Sequence, residues 1–367
     1  MKTFFSIIIF IIIGISGFLF FYHTPITPQI PVSQITSLPK ESSAQKITPL
    51  PTTAPKTTDT FSITNVNGNL KRGEIVTISG NYFGKHPDYS PTLPDTLGSA
   101  LLNFENNQLT GNGWVIDQAP ENWRLSNNGE RSNSAYHAEK FYNPIIKNRL
   151  GSIEITQTGT PHEWYSVFWF KLLPNTQAGK FFRIYGARGS SENIYLSTGG
   201  ENTMIRGFSE CVTCGEIKTV WNSPNSFGYD QWHLVEINMK ETSHTFRVFM
   251  DGQLQWERNN WVNDPFNGTG HTWEIGQMID APANGTIGGA YAFDDVYFDY
   301  TQARVMIGND PIFEQSTIRE IQVPTEWSDT TITIHFNPGS FSSGQKVYLF
   351  VINSDGTATA GFPITIQ

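Results

Sequence analysis

Short segments of alternating apolar and polar residues recur along this chain, each bounded by Gly, Pro, Asn, Asp or Ser. This alternation is typical of β-strands with one buried face, whereas the spacing of a long amphipathic helix is missing. Aromatic residues make up 13% of the chain and charged residues only 16%, which also favours strands and turns. We therefore expect an all-β protein. The clearest segments lie at residues 61–84, 303–307, 318–323, 331–336, 346–352 and 361–367.

We expect the two ends of this patterned region to fold together. An isolated strand pair is marginal in water, so the strands within residues 61–94 need partners, which residues 303–367 supply. Seven strands in about 100 residues match an immunoglobulin-like sandwich. The pieces ITNVNGNLKRGEIVTISGNYFG and WSDTTITIHFNPGSFSSGQKVYLFVINSDGTATAGFPITI carry a G-x-x-V-T-I-x-G-x-x-F-G signature and a W-S-D-T-x-I strand entry. In these features they resemble the opening and closing halves of an IPT/TIG domain, an immunoglobulin-like module of cell-surface receptors and secreted carbohydrate-active proteins.

Residues 95–302 interrupt this domain and are again rich in strand patterns. Both faces are apolar in YSVFWF, residues 165–170, as in a strand buried between two layers. Asp251 and Gly252, within RVFMDGQLQWE, predict a hairpin with a type I′ turn. The combination of W-H-L-V-E-I with V-F-M-D-G-Q-L resembles the concanavalin A-like and laminin-G-like jelly rolls. The fold class we expect is an immunoglobulin-like sandwich with an inserted two-sheet jelly roll.

The N-terminal 60 residues are of a different kind. Residues 4–22 are apolar, follow Lys2 and are long enough to cross a hydrocarbon core of about 30 Å. We expect residues 1–22 to be a transmembrane anchor that places the folded part outside the cytoplasm. A cleaved signal peptide, which would make the protein secreted, is the alternative. Residues 23–60 hold seven prolines among Thr and Ser, which predicts a disordered stalk.

Charge and motif content exclude some functions. The net charge of −9, with no block of Lys and Arg, argues against nucleic acid as a partner. The E-x-D-x-x-E motif of laminarinase-like enzymes and the Q-[IV]-H and Y-x-K-x-G-x-Y strands of alginate-lyase-like enzymes do not occur. No catalytic residue is therefore assigned. Arg183 and His233 are candidates to meet a ligand on the concave face of the jelly roll, and a structural role is the alternative for both.

Cys211 and Cys214 are the only cysteines and form a C-x-x-C motif. In an oxidising compartment this spacing favours a local disulfide that clamps a loop. A zinc site would need two further ligands, and a thioredoxin-like redox site would need a helix N-terminus after a strand. Neither is indicated by the surrounding residues.

A structural calcium ion is the one cofactor that the sequence suggests. Many carbohydrate-binding jelly rolls hold such an ion between an N-F-E segment near the first strand and a D-D-V segment near the last, and this resemblance points to Asn103, Glu105 and Asp295. Calcium prefers hard oxygen ligands of this kind. Against it, adjacent residues such as Asp294 and Asp295 point to opposite faces of a regular strand, so a turn or capping role is the alternative.

Tryptophan is the residue type most suggestive of a ligand, because indole rings stack on sugar C–H surfaces while their N–H donates a hydrogen bond. Trp221, Trp256 and Trp261 lie in polar, Asn-rich sequence and are the candidates for an exposed sugar site. Trp169, Trp232 and Trp327 are expected to be core residues. The sequence thus favours a membrane-anchored, extracytoplasmic protein that binds glycans or mediates adhesion. A polysaccharide lyase or glycoside hydrolase with an unrecognised active site, and a structural protein-interaction module, are the alternatives.

Overall fold

The computed structural model describes residues 60–86 and 100–367, the latter apart from 105–106, 112, 128–130, 132–135, 142–150, 158–162, 175–178, 186–191, 199–203, 212–215, 227, 241–242, 244, 260–270 and 280–289. Residues 57–367 form one unit. The described secondary structure consists of strands and short 3-10 turns such as Pro120–Asn122 and Phe313–Gln315. The expectation of an all-β protein is confirmed. The strands are β1 Ser62–Gly68, β2 Ile75–Asn81, β3 Ala100–Leu102, β4 Val115–Asp117, β5 Trp123–Ser126, β6 His137–Phe141, β7 Ser152–Gln157, β8 Glu163–Leu172, β9 Gly179–Tyr185, β10 Glu192–Thr198, β11 Met204–Cys211, β12 Glu216–Ser226, β13 Trp232–Lys240, β14 Thr245–Met250, β15 Gln253–Arg258, β16 His271–Ile279, β17 Ala290–Asp299, β18 Arg304–Gly308, β19 Arg319–Trp327, β20 Thr331–His335, β21 Lys346–Ile352 and β22 Phe362–Thr365.

The two ends of the patterned region share one sheet, which we call the terminal sheet. Its order is β1-β2-β20-β19-β18-β21-β22, so the strands near residue 70 pair with strands beyond residue 300. Ile75 lies opposite His335 and Ser79 opposite Thr331. Alternate residues of β2, β18, β20, β21 and β22 form its apolar core, including Val76 and Ile334. The immunoglobulin-like assignment remains a prediction.

The intervening residues form two further sheets. The front sheet has the order β15-β14-β13-β8-β17-β6-β5, with β3 paired to β17, and the back sheet has the order β12-β11-β10-β9-β16-β7-β4. A core rich in aromatic side chains fills the space between them, as where Phe170 stacks on Phe181 at 4.4 Å between ring centroids. Ala100 in β3 lies opposite Phe298 in β17, so the first and last strands of this region are neighbours.

The other face of the front sheet packs on the terminal sheet. Tyr165, Val167 and Trp169 alternate along β8 and point away from the back sheet. They meet a second set of alternating residues, Met306 in β18 and Ile321 in β19 among them, in a buried apolar cluster. This two-sided contact explains why both faces of residues 165–170 are apolar.

The predicted transmembrane anchor and stalk, residues 1–22 and 23–60, lie outside the described residues except for Thr60. Within the part of the chain that is described, no helix has the length and apolar character needed to span a membrane.

Candidate functional site

Two clefts lie along the junction between the front sheet and the terminal sheet, and the turn between β14 and β15 lies at both of them. Asp251 and Gly252 form this turn with φ values of 50° and 72°, as a type I′ turn requires, which confirms the predicted hairpin. A Cβ atom on Gly252 would lie 2.6 Å from the carbonyl oxygen of Ser316 and 2.9 Å from Nη2 of Arg319. Glycine is therefore required both by the backbone conformation and by the close approach of the turn to the segment before β19.

The first cleft, the tryptophan cleft, has a volume of about 560 Å³, which is in the range of small-ligand sites. Its two aromatic side chains come from neighbouring strands of the front sheet, Trp169 from β8 and Trp232 from β13. Trp232 lies opposite Lys171 and Trp169 lies opposite Leu234, so the register directs both indoles to the same face of the sheet. The cleft is lined by Arg131, Trp169, Gln231, Trp232, His233, Asp251, Thr317, Ile318 and Ser340.

A buried cluster of charges supports the base of this cleft. The Arg131 guanidinium lies 4.5 Å from the Trp169 ring and forms ion pairs with Asp294 at 3.1 Å, Asp295 at 3.2 Å and Glu320 at 2.8 Å. Burial opposes the charge on Arg131, but the three carboxylates outweigh it and raise the pKa of this guanidinium. Burial likewise raises the pKa of Glu320, against the effect of Arg131. The cluster joins the front sheet to β19 of the terminal sheet and carries no excess of positive charge.

The indole N–H groups of the two tryptophans differ in their partners. Trp169 Nε1 donates a hydrogen bond of 2.8 Å to Glu320 Oε2. Trp232 Nε1 is buried and has no acceptor among the described residues. The Trp232 ring is flanked by Lys171, whose Nζ lies 5.3 Å from the ring, and by His137, which contacts it edge-on at 5.3 Å. Burial lowers the pKa of Lys171, and the neighbouring Asp230 opposes this effect. Trp232 thus packs between Lys171 and His137, and its indole N–H has no acceptor in the part of the chain that the structure describes.

The structure does not bring the two predicted polar ligand residues together. His233 lies in β13 of the front sheet, lines the tryptophan cleft and forms a 2.7 Å hydrogen bond from Nδ1 to Asp251 Oδ2. Arg183 lies in β9 of the back sheet, with Nη1 3.7 Å from Glu274 Oε2. The two residues therefore do not share one face, because they belong to different sheets, and the contact of each with a ligand remains a prediction.

The predicted tryptophans are only partly described. Trp256, in β15, is half-buried, contacts Phe246 edge-on at 5.5 Å and packs against the core between the front and back sheets. This position gives Trp256 a packing role, and its contact with a ligand remains a prediction. Trp221 lies in β12, but its side chain is outside the described residues, as is the whole of Trp261.

The predicted calcium ligands are also only partly described. Asn103 follows β3, and Glu105 lies outside the described residues. Asp295 has a φ of 45°, and the pairing of β17 with β8 shifts register between Asp294 and Tyr297. This irregularity directs both neighbouring Asp carboxylates to Arg131, so they do not point to opposite faces as a regular strand would require. The calcium site remains a prediction.

Of the predicted disulfide, Cys211 ends β11 and Cys214 lies outside the described residues, so the linkage also remains a prediction.

Three carboxylates also lie close together on the back sheet. Asp117, Glu154 and Glu274 each place an oxygen within 4.8 Å of the others, and Arg183 lies opposite Glu274 in the neighbouring strand. This arrangement has the donor types of a cation site. Arg183 also forms an ion pair of 3.7 Å with Glu274 and so supplies positive charge to this group.

Sequence reasoning missed the residues that build the tryptophan cleft. It expected Trp169 and Trp232 in the core, which the structure confirms for Trp169, at 6% exposure, while Trp232 is partly buried against the same cluster. It did not predict that both indoles also line a cleft, and it gave no role to Arg131 or Glu320. The alternation along β8 and β13 carries part of the signal, because it places Trp169 and Trp232 on the face opposite the apolar core between the sheets. The contribution of Arg131 depends on contacts with residues more than 160 positions away.

No family model matches the chain, and no curated protein is similar to it in sequence. Among solved structures, the cellulose-induced protein Cip1 is 15% identical with a TM-score of 0.37, over 55% of this chain and 97% of that one. Domain 4 of AbnA, an extracellular arabinanase of Geobacillus stearothermophilus solved with arabinotriose, is 15% identical with a TM-score of 0.39, over 55% and 93%. The CBM40 of a Ruminococcus gnavus sialidase, bound to sialyllactose, is 13% identical with a TM-score of 0.29, over 40% and 88%. Likenesses at these scores carry no argument about this chain, and no family is assigned to it.

Proposed function

We propose that this chain is a glycan-binding protein that is anchored in a membrane by residues 1–22, displays its folded part outside the cytoplasm and recognises carbohydrate through the tryptophan cleft. The proposal rests chiefly on Trp232, which lines the cleft while its indole N–H is buried without an acceptor among the described residues. A sugar matches both properties, because its C–H face packs on an indole ring and its hydroxyl accepts a hydrogen bond. Leaving such a buried donor unpaired costs about 1–3 kcal/mol, which a ligand hydroxyl would recover.

The rim of the cleft suits a ligand rich in hydroxyl groups. Gln231 and Thr317 are exposed, Ser340 is half-buried, and all three carry groups that donate and accept hydrogen bonds. Asp251 is held in place by the backbone N–H of Leu234, at 2.9 Å, and by His233. Because the single charge of Arg131 is outnumbered by its three carboxylate partners, the cleft favours a neutral sugar over an anionic one.

A second candidate function follows from the pairing of His233 with Asp251. A histidine oriented by a carboxylate and placed beside a ligand can act as a general base or acid. The same cleft would then belong to a polysaccharide lyase or a glycoside hydrolase. Incubation of the full chain with a polysaccharide panel, followed by analysis of reducing ends and of unsaturated products, separates the two candidates. Turnover that disappears in His233→Gln would establish the enzyme, whereas binding without turnover supports the binding protein.

The glycan-binding proposal is tested with a glycan array followed by calorimetric titration of the full chain with the best-bound neutral glycan. Replacing Trp232 by Ala removes a stacked ring and should lower affinity by about five- to a hundredfold, which corresponds to about 1–3 kcal/mol. Trp232→Phe keeps a ring but loses the N–H, so it should bind with intermediate affinity. Trp256→Phe is the matched control, because Trp256 does not line the cleft, and it should bind as the unaltered protein does.

Two results would contradict the proposal. In the first, Trp232→Phe melts at the normal temperature and binds the glycan with unchanged affinity, whereas Trp256→Phe loses binding. This result would place the sugar site outside the tryptophan cleft. The other is an array without hits together with a protein partner found by cross-linking, which would favour a protein-interaction module.

A further inference from the structure

The second cleft at the junction of the sheets, the charged cleft, differs from the tryptophan cleft in its chemistry. Its volume is about 600 Å³, and its walls come from β13, β14 and β15 of the front sheet and from the segments around β18 and β19 of the terminal sheet. Phe249, Leu254 and Phe313 provide apolar surface, and Leu254 is 48% exposed. The remaining lining is dominated by charged side chains.

The deepest part of this cleft holds two positive charges and one negative charge. Glu236 Oε1 accepts a 2.7 Å hydrogen bond from Arg319 Nη1, and Glu236 Oε2 lies 3.8 Å from Arg304 Nη2 and accepts a 2.8 Å hydrogen bond from the Tyr165 hydroxyl. All three charged side chains are at least nine-tenths buried. Burial opposes ionisation of Glu236, but Arg319 and Arg304 outweigh it and lower the pKa of this carboxyl, so it is charged. The group therefore carries a net charge of +1.

The hydrogen bonds of the two arginines are incomplete in the described structure. Arg304 also donates to the carbonyl oxygen of Gln302 at 2.7 Å, and Arg319 to that of Phe313 at 2.7 Å. The Nε atoms of Arg304 and Arg319 are both buried and have no acceptor among the described residues. Buried donors without an acceptor are costly, and a buried uncompensated charge more so. An anion in the cleft would compensate the net charge of this group.

The rim of the charged cleft carries charges of both signs. Arg247 and Lys240 line the cleft with side chains that are 43% and 31% exposed, and each is paired with an acidic residue, Glu257 and Glu163 respectively. Glu314 and Asp355 also line the cleft, but both are exposed to solvent. Acidic side chains at the surface are screened by water and salt, so they offset the buried charge only weakly.

From this charge balance we propose that the charged cleft binds an acidic sugar residue, with its carboxylate directed to Arg304 and Arg319 and its ring against the apolar surface of the cleft. Guanidinium groups suit carboxylates because they donate paired, charge-assisted hydrogen bonds. The net positive charge of the buried group disfavours a metal cation beside Arg304 and Arg319. The inference does not depend on the tryptophan cleft, because the described residues that line the two clefts are different.

The test is calorimetric titration of the full chain at low salt with tetragalacturonate and with its methyl ester, which keeps the rings and removes the charge. The acid should bind at least tenfold more tightly than the ester, a difference of about 1.4 kcal/mol. Glu236→Gln leaves two guanidinium groups without an internal carboxylate and should tighten binding of the acid by about tenfold. Arg319→Gln should weaken binding of the acid by at least tenfold. Lys71→Gln, which removes one charge from an exposed residue outside the cleft, should not change it.

Arg304 and Arg319 also hold neighbouring backbone carbonyl groups, so Arg319→Gln could fail to fold. A second variant, at a residue with more exposed surface, keeps the proposal testable in that case. Arg247→Gln changes a partly exposed rim residue and should weaken binding of the acid about two- to threefold. Equal affinity for the acid and the ester would overturn the proposal, as would a Glu236→Gln variant that folds and binds the acid no more tightly than the unaltered protein. Full competition by inorganic sulfate at the concentration of the tetramer would also overturn it, because a site for any small anion does not recognise a sugar.

Discussion

Folding shifts the pKa of Lys140 into the physiological pH range. It lies in β6 with no exposed surface, donates a hydrogen bond from Nζ to the carbonyl oxygen of Gly151 and lies 5.4 Å from the Trp123 ring. Burial lowers the pKa of Lys140 from 10.5 to about 7, although the charge of Glu121 opposes this effect. The folded protein therefore holds a lysine that is largely neutral above pH 7.

This shift determines how the free energy of unfolding depends on pH. Above about pH 10.5 the lysine is neutral in both states, and below about pH 7 it is charged in both. Between these values the unfolded chain binds a proton that the folded protein does not, so the contribution of Lys140 makes stability rise with pH by about 1.4 kcal/mol per unit. The penalty is therefore complete below pH 7 and is relieved as the pH rises. From pH 6.5 to pH 9 the relief amounts to about 2.5 kcal/mol.

The assay compares urea unfolding of the unaltered chain with that of Lys140→Met at several values between pH 6.5 and pH 9. Methionine has a similar length and no charge, so the variant should be the more stable one at pH 6.5, and its advantage should shrink by about 2.5 kcal/mol at pH 9. Lys71→Met, at an exposed position, should differ from the unaltered chain by a constant amount. A difference for Lys140→Met that stays constant or grows with pH would refute the reasoning.

Three further predictions concern the junction and the calcium site. Arg131→Met removes the only cation within the described cluster that includes Glu320. The variant should lower the free energy of unfolding by about 3–5 kcal/mol at pH 7, because three buried carboxylates lose their partner. The loss should be smaller at acidic pH, where the carboxylates gain protons, and urea unfolding at the two pH values would measure both. An equal loss at both pH values would contradict this. In Gly252→Ala the new Cβ would lie against the carbonyl oxygen of Ser316 at a backbone position with a positive φ, so the free energy of unfolding should fall by about 1–3 kcal/mol. Gly344→Ala also has a positive φ, but its Cβ would lie in open space, so the loss should be smaller. If calcium binds at Asp295, the ion at 100 times its dissociation constant should raise the free energy of unfolding by about 2.7 kcal/mol. Identical melting curves with calcium and with a chelator would rule out this calcium site.

Much of the fold was predictable because strands leave a period of two in the sequence. The apolar run at residues 165–170 predicted a strand covered on both sides, and β8 is covered by the core of the two sheets on one side and by Met306 and its neighbours on the other. Asp251 and Gly252 predicted their turn, because few residue pairs adopt two positive φ values at low cost. These features depend on local conformation, which the local sequence determines.

The candidate sites were less predictable because they depend on long-range contacts and on irregular backbone. A positive φ at Asp295, which is not a glycine, directs its carboxylate to Arg131, and the usual rule for neighbouring strand residues does not anticipate it. Polar surroundings in the sequence suggested that Trp256 is exposed, yet it packs on Phe246. Trp232 was expected in the core because it opens a strand, and it does pack against the apolar cluster at the junction, but the sequence does not show that it also lines a cleft.

The sharing of the terminal sheet between distant segments has a consequence for the order of folding during synthesis. The hairpin of β1 and β2 emerges early, but its partner strand β20 follows about 250 residues later, so Ser79 cannot meet Thr331 until almost the whole chain has emerged. Folding of the intervening sheets places Ala100 beside Phe298 and shortens the loop that must close to about 50 residues. By the logarithmic dependence of closure entropy on length, this saves about 1.4 kcal/mol. The front and back sheets therefore act as an intramolecular template, and the terminal sheet is the last part of the chain to be completed.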